Sequence, residues 1–129
     1  MILIFGGAYQ GKLRYALEEY NLDESDVYRC NVDNLYMPQN KKIIYEIDKW
    51  VLALITAGYK NEKLQEELAM FQKNISNEII ICNDISCGVV PVEANFRIWR
   101  ETVGRLLVNL SEKSDRVVRL FCGIPTIIK

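Results

Sequence analysis

Seven residues near the start of the chain, Gly6-Gly7-Ala8-Tyr9-Gln10-Gly11-Lys12, have the spacing G-x-x-x-x-G-K. Glycines at those places let successive backbone N–H groups turn inward around phosphate oxygens. A helix starting there adds free N–H groups and the positive end of its dipole. Lys12 would neutralise the outer phosphates of a bound nucleotide, GTP or ATP. The candidate contacts are therefore Gly6, Gly7, Ala8, Tyr9, Gln10, Gly11, Lys12 and Leu13. The full pattern ends in Ser or Thr, whose hydroxyl holds Mg²⁺, and here Leu13 has none. Phosphate cradling survives that change, but this means of placing the metal does not, and Mg²⁺ neutralises the charge that develops in phosphoryl transfer. The competing reading is a plain glycine turn with Lys12 solvated.

Asp84 is the second candidate. It stands just past the apolar run Ile79–Cys82, where an acidic group could hold Mg²⁺ through water or orient a nucleophile; a turn residue bonded to its own backbone would also fit. Lys12 and Asp84 are the candidate catalytic pair, and Asp84 the candidate metal ligand. Arg97 could reach a phosphate, and Arg100 less so; a surface pair between Arg97 and Glu101 at i,i+4 is the alternative. Trp99 falls in an apolar stripe and reads as core. Tyr9 at the loop tip reads equally as a ligand contact or a solvent-facing turn.

These residues need elements to position them. Met1–Phe5 is an apolar run fit for a buried strand, and Leu13, Ala16, Leu17 and Tyr20 recur beyond the glycines at helical spacing, with Asn21 closing that helix. Residues 26–30 read as a short strand and 33–41 as a connection. A helix is expected over about 40–57, its broad apolar face made by Ile43, Ile44, Ile47, Trp50, Val51, Leu54 and Ile55, with Gly58 as its stop. Asn61 would cap the next helix, carrying Leu64, Leu68 and Phe71. Residues 78–83 form the clearest strand, apolar enough for both faces to be covered. Gly88–Pro91 breaks the chain before a helix over about 92–112, whose stripe is Phe96, Trp99, Val103, Leu106, Leu107 and Leu110. Val117–Cys122 is a last strand, ended by Gly123-Ile124-Pro125. Strands alternating with helices imply one α/β domain: a mainly parallel sheet flanked by helices in three layers, with ligands at the carboxyl ends of the strands. The glycine turn and Asp84 both fall at such ends.

The 129 residues suit a single domain, and 16 basic against 17 acidic side chains lack the basic excess of a nucleic-acid or anionic-membrane binder. No apolar stretch approaches the roughly 18 residues of a membrane span, and no signal peptide is apparent. Cys30, Cys82, Cys87 and Cys122 form no C-x-x-C pair and read as thiols of a reducing cytoplasm. The chain contains no His, which excludes histidine bases, nucleophiles and metal ligands.

The opening MILIFGGAYQGKLRYA and the later stretch IIICNDISCGVVPVEANFRIWRETVG resemble the adenosylcobinamide kinase / adenosylcobinamide-phosphate guanylyltransferase family of cobalamin biosynthesis. The matching positions in the second stretch are Asn83, Asp84, Gly88, Val90, Pro91, Arg97, Trp99, Arg100, Glu101 and Gly104, and the ending LFCGIPTIIK adds Gly-Ile-Pro and a final Lys. The resemblance covers about 16 residues at the start and roughly the last 50, whereas residues 21–77 are read as unmatched and shortened. It implies a RecA-like P-loop fold, phosphorylation of the aminopropanol hydroxyl of adenosylcobinamide, and GMP transfer through a guanylylated histidine. The second reaction has no histidine to run on here.

Three functions remain at this level: a nucleotide-dependent kinase with a corrinoid substrate, a degenerate module that binds nucleotide and acts through a partner, and a purely structural domain. The apolar helix expected at 40–57 also leads us to expect a homo-oligomer that covers it.

Overall fold

The computed structural model describes residues 1–85 and 93–129. The Gly88–Pro91 break, with Cys87 beside it, lies outside them. Strand β1 (Ile2–Gly6) leads through the glycine loop into helix α1 (Lys12–Glu19). A 3-10 turn at Glu24–Asp26, closed by reciprocal bonds between Asp23 and Asp26, delivers β2 (Val27–Arg29). Then come β3 (Ile43–Tyr45), α2 (Ile47–Thr56), α3 (Asn61–Asn74), β4 (Ile79–Asn83), α4 (Ala94–Lys113), β5 (Arg116–Phe121) and β6 (Ile124–Ile127).

The strands form one sheet in the order β2-β3-β4-β1-β5-β6, with every pair parallel except β5–β6. The α/β expectation is thus met. Alternation along the strands builds two cores. Ile4, Ile43, Ile79, Ile81, Val118 and Leu120 face α1 and its Ala16. Leu3, Ile44, Ile80, Cys82 and Val117 face α2, α3 and α4. Ile80 and Ile81 are wholly buried on opposite faces, each contributing about 1.5–3 kcal/mol, which makes β4 a strand the two cores share.

The helix expected at 40–57 is corrected: its first turn is a strand. Ile43 and Ile44 pair with Ile79 and Ile80 of β4 and point to opposite faces, which a helix would not allow. Only pairing to a strand 36 residues away reveals this, since a short β-branched run opening a helical pattern is ambiguous by periodicity. Glu46, at φ 60° and ψ 54°, makes the sharp turn from strand to helix. That helix face does not call for a second copy of the chain to cover it. Ile47, Trp50, Val51, Leu54 and Ile55 are all buried within the chain, so its own α3, α4 and sheet cover that face.

Two smaller corrections concern ends. Asn61 is the first residue of α3, and Lys60 takes the preceding position without a side-chain cap. Gly123-Ile124-Pro125 does follow the end of β5, but Ile124 and Pro125 open β6, so β5 is not the last strand. Cys122 (φ 51°) and Gly123 (φ 76°) form a two-residue turn, the geometry a tight hairpin requires.

Candidate functional site

The loop that leaves β1 is held at both sides. Gly6 is buried where a Cβ would stand 2.4 Å from the Leu120 carbonyl oxygen, so only glycine lets β1 pass β5 there. The Asp84 N–H donates to Gly6 O at 2.8 Å, tying the loop's entry to the end of β4. On the other side the Gly123 N–H donates to Gln10 O at 3.0 Å, and the Cys122 N–H donates to Gln10 Oε1. The hairpin turn of β5–β6 therefore clamps the loop. Gly7, Ala8 and Gly11 are exposed, and Tyr9 stands fully in solvent at φ 60°. Gly11 adopts φ 84° directly before α1, whose first turn has neither an acidic residue nor a side-chain cap. Its N–H groups and dipole are left to the loop.

Lys12 is not solvated. It is 4 % exposed, and its Nζ turns back to donate to Gly7 O at 2.6 Å. Burial lowers the pKa of its ammonium, while the charges of Asp48, then Cys82 and Glu46, act to raise it. Leu13 is half-buried in the apolar cluster on the α1 face, so the residue in the hydroxyl position is used for packing.

A cleft of about 610 Å³ opens beside the loop. Ala8 to Arg14 form one wall; Tyr45, Glu46, Asp48, Lys49, Asn83, Asp84 and Trp99 form much of the other. It lies at the carboxyl ends of β1, β3 and β4, where a parallel sheet places its ligands. The structure thus brings together Lys12, Leu13, Ala8 to Gly11 and Asp84 from the predicted set. Gly6 seats the loop's entry against β5, and the Gly7 carbonyl accepts from Lys12. Arg97 is exposed on α4 and is not among the cleft residues, and Glu101 pairs with Arg105 rather than with Arg97. Trp99 is half-buried against the core and donates its indole N–H to Asp48 O at 2.7 Å.

Glu46 and Asp48 escaped the sequence reading. Asp48 is 2 % exposed on the first turn of α2. Its Oδ1 accepts from the Asn83 N–H at 3.1 Å and its Oδ2 from Asn83 Nδ2 at 3.2 Å. Asn83 Nδ2 also donates to Glu46 Oε2 at 3.1 Å, and Lys49 pairs with Glu46 at 3.0 Å. Burial raises the Asp48 carboxyl pKa, against the opposing bonds from Asn83. The signal that could have found them is a pair of acids, Glu46 and Asp48, straight after the β-branched Ile43-Ile44.

The hydroxyl that usually holds Mg²⁺ at such a loop is missing, and the carboxylates lining the cleft are Glu46, Asp48 and Asp84. Among the described residues no three His, Cys, Asp or Glu side chains converge to hold a metal. Leu13 supplies no oxygen, and Glu46 and Asp48 are engaged by Lys49 and Asn83.

The family model described as cobinamide kinase / cobinamide phosphate guanyltransferase matches residues 29–128, well over half of the chain. The match runs through the middle region read above as unmatched, which is corrected accordingly. It begins beyond the glycine loop, so the loop rests on its own geometry. No curated protein matches the chain.

Proposed function

The chain belongs to the cobinamide kinase / cobinamide phosphate guanyltransferase family, and from that membership we propose that it binds GTP or ATP on the Gly6–Leu13 loop and transfers phosphate to a cobinamide-like acceptor. The observation that carries this reading is Lys12, buried at the head of α1 with its ammonium turned into the loop. Burying an ammonium is costly unless it is paired, and a phosphate held by the loop would supply the contact that Gly7 O alone does not. The loop N–H groups and the uncapped first turn of α1 receive the phosphates, and Lys12 exchanges Gly7 O for a phosphate oxygen. Asp84 at the mouth orients the acceptor hydroxyl. Arg97, exposed on the first turn of α4 and outside the cleft lining, would have to swing toward the loop to contact a phosphate. Transfer of GMP through a guanylylated histidine is closed to these 129 residues, because none is His.

One observation favours a second reading, a nucleotide-binding module without turnover: Leu13 is committed to the apolar cluster where a metal-binding hydroxyl would be needed. Calorimetric titration with GTP and with ATP, with and without Mg²⁺, separates the two when combined with an assay for labelled phosphate on adenosylcobinamide. Binding that Lys12→Ala abolishes, with labelled product, supports the kinase. Binding independent of Mg²⁺ with no product supports the module. Absence of binding in the unaltered chain sinks both.

A further inference from the structure

Lys12 and Asp48 are two buried charges lining one cleft, and among the described residues neither makes a direct ion pair. Lys12 Nζ meets the Gly7 carbonyl, and the Asp48 carboxylate meets the two N–H groups of Asn83. Neither arrangement neutralises a charge. Four elements converge to hold Asp48 where it is: Glu46 turns β3 into α2, Asn83 ends β4, and Trp99 of α4 donates to its backbone carbonyl.

We propose that Asp48 is a positioning residue for Lys12, its buried carboxylate serving as the counter-charge that keeps the lysine charged and turned into the loop until a phosphate takes its place. Asp48 acts on the ammonium most, ahead of Cys82 and Glu46, and the other charged side chains of the cleft are Asp84 past β4, Lys49 of α2, Arg29 of β2 and Arg14 of α1. Glu46 is matched by Lys49, and the wholly buried Cys82 thiol is held neutral by its burial. Asp48 is the buried carboxylate of the cleft whose charge acts most on Lys12. In a low-dielectric cleft opposite charges act on each other without contact. The cost is that an incoming phosphate feels Asp48 as a repulsion, so the carboxylate also sets how much phosphate charge is needed to draw Lys12 away from it.

The inference rests on reading the loop as a phosphate site, but its first test needs no nucleotide. The ¹³Cε resonance of Lys12 is followed through its titration in the nucleotide-free protein and in Asp48→Asn. The variant's lysine is expected to lose its proton about one pH unit lower, the ordinary effect of removing one opposite neighbour; an unmoved titration overturns the proposal. Asn83→Ala keeps the carboxylate while removing a hydrogen bond, and should leave the Lys12 titration in place. If it moves as far as in Asp48→Asn, the role is structural and the proposal falls. Should Asp48→Asn fail to fold, the coupling is read from the other side: Lys12→Met, which keeps a side chain of similar length at the head of α1, must raise the titration of the Asp48 carboxylate carbon, and an unmoved value again overturns it. With GTP as the probe, Asp48→Asn should lose affinity at lower pH than the unaltered protein, by roughly tenfold at a fixed alkaline pH. A moved Lys12 titration in a protein that binds no GTP would sink the phosphate reading and leave the Asp48–Lys12 coupling standing.

Discussion

Asn83 gives both its backbone N–H and its side-chain amide to the two oxygens of one carboxylate, Asp48, at 3.1 and 3.2 Å. The pair joins the end of the central β4 to the start of α2, and the next residue, Asp84, carries the connection on to Gly6 O. Asn83→Ala removes a donor shared by Asp48 and Glu46 and leaves buried acceptor capacity unmet. Hydrogen bonds to charged groups contribute about 1.5–3 kcal/mol, and a loss in that range is expected in urea unfolding. A change within 0.5 kcal/mol, roughly the level of an ordinary surface substitution, would contradict the geometry.

Asp48 also makes stability depend on pH. Burial raises its carboxyl pKa above the ordinary 3.8, so the folded chain binds that proton more readily than the unfolded one. The proton's contribution to stability is fully present below 3.8 and is lost as pH rises through the native titration. Asp48→Asn lacks this dependence. Unfolding free energies of the two proteins, measured from pH 3.5 to pH 8 (on the order of the ordinary carboxyl range upward), should diverge to the unaltered protein's disadvantage as pH increases. Divergence in the other direction would mean that the bonds from Asn83 outweigh burial.

Gln10 is expected to act through the loop's shape. Gln10→Ala removes the acceptor of the Cys122 N–H but keeps the bond from Gly123 to its backbone. Stability should fall by about 1 kcal/mol or less. Nucleotide affinity should weaken about three- to tenfold, because an unclamped loop must be ordered on binding. Hydrogen exchange at the Cys122 amide, faster in the variant, is the direct check.

Gly6→Ala is expected to be far more damaging than its size implies. The new Cβ would lie 2.4 Å from a backbone oxygen of β5, which cannot move without parting from β1. Overpacking costs about 1–3 kcal/mol, and the upper end or outright failure to fold is expected by thermal unfolding. Gly11→Ala meets nothing closer than 3.5 Å, so its expected penalty comes from φ 84° alone and should be smaller.

The thiols should separate by reactivity. Burial pushes Cys30 up to about 12 and Cys82 well above its ordinary value, whereas Cys122 is exposed. Among the described residues, iodoacetamide followed by mass spectrometry should modify Cys122 in the native protein and reach Cys30 and Cys82 only after unfolding. Native modification of Cys82 would mean that β4 opens far more readily than its burial implies.

The strand–loop–helix around Lys12 and the strand at Ile79–Asn83 were legible in the sequence because each signal is local: a glycine spacing, a helical stripe, an unbroken β-branched run. Ile43-Ile44 was misread because its partner lies far along the chain, and the β5–β6 hairpin because Cys122-Gly123 lacks the Asn-Gly signature of such turns. Lys12 was found by its motif, but that it is buried follows from the cleft walls. Asp48 belongs to no motif; its place depends on Asn83, 35 residues away.

Pro125 has a consequence for the sheet's open margin. Val117 exchanges backbone bonds with Ile128 and Lys129, so alternation turns the N–H and C=O of Leu120 toward β1 and leaves Leu120–Pro125 as a pair without mutual bonds. The nitrogen of Pro125 therefore faces outward, at a place where another residue would offer a donor to a passing strand. Ile124, Ile127 and Ile128 are exposed along the same margin, an apolar row that would otherwise template fibre-like stacking of chains. A ring nitrogen without hydrogen in the middle of that row interrupts the ladder a foreign strand would need.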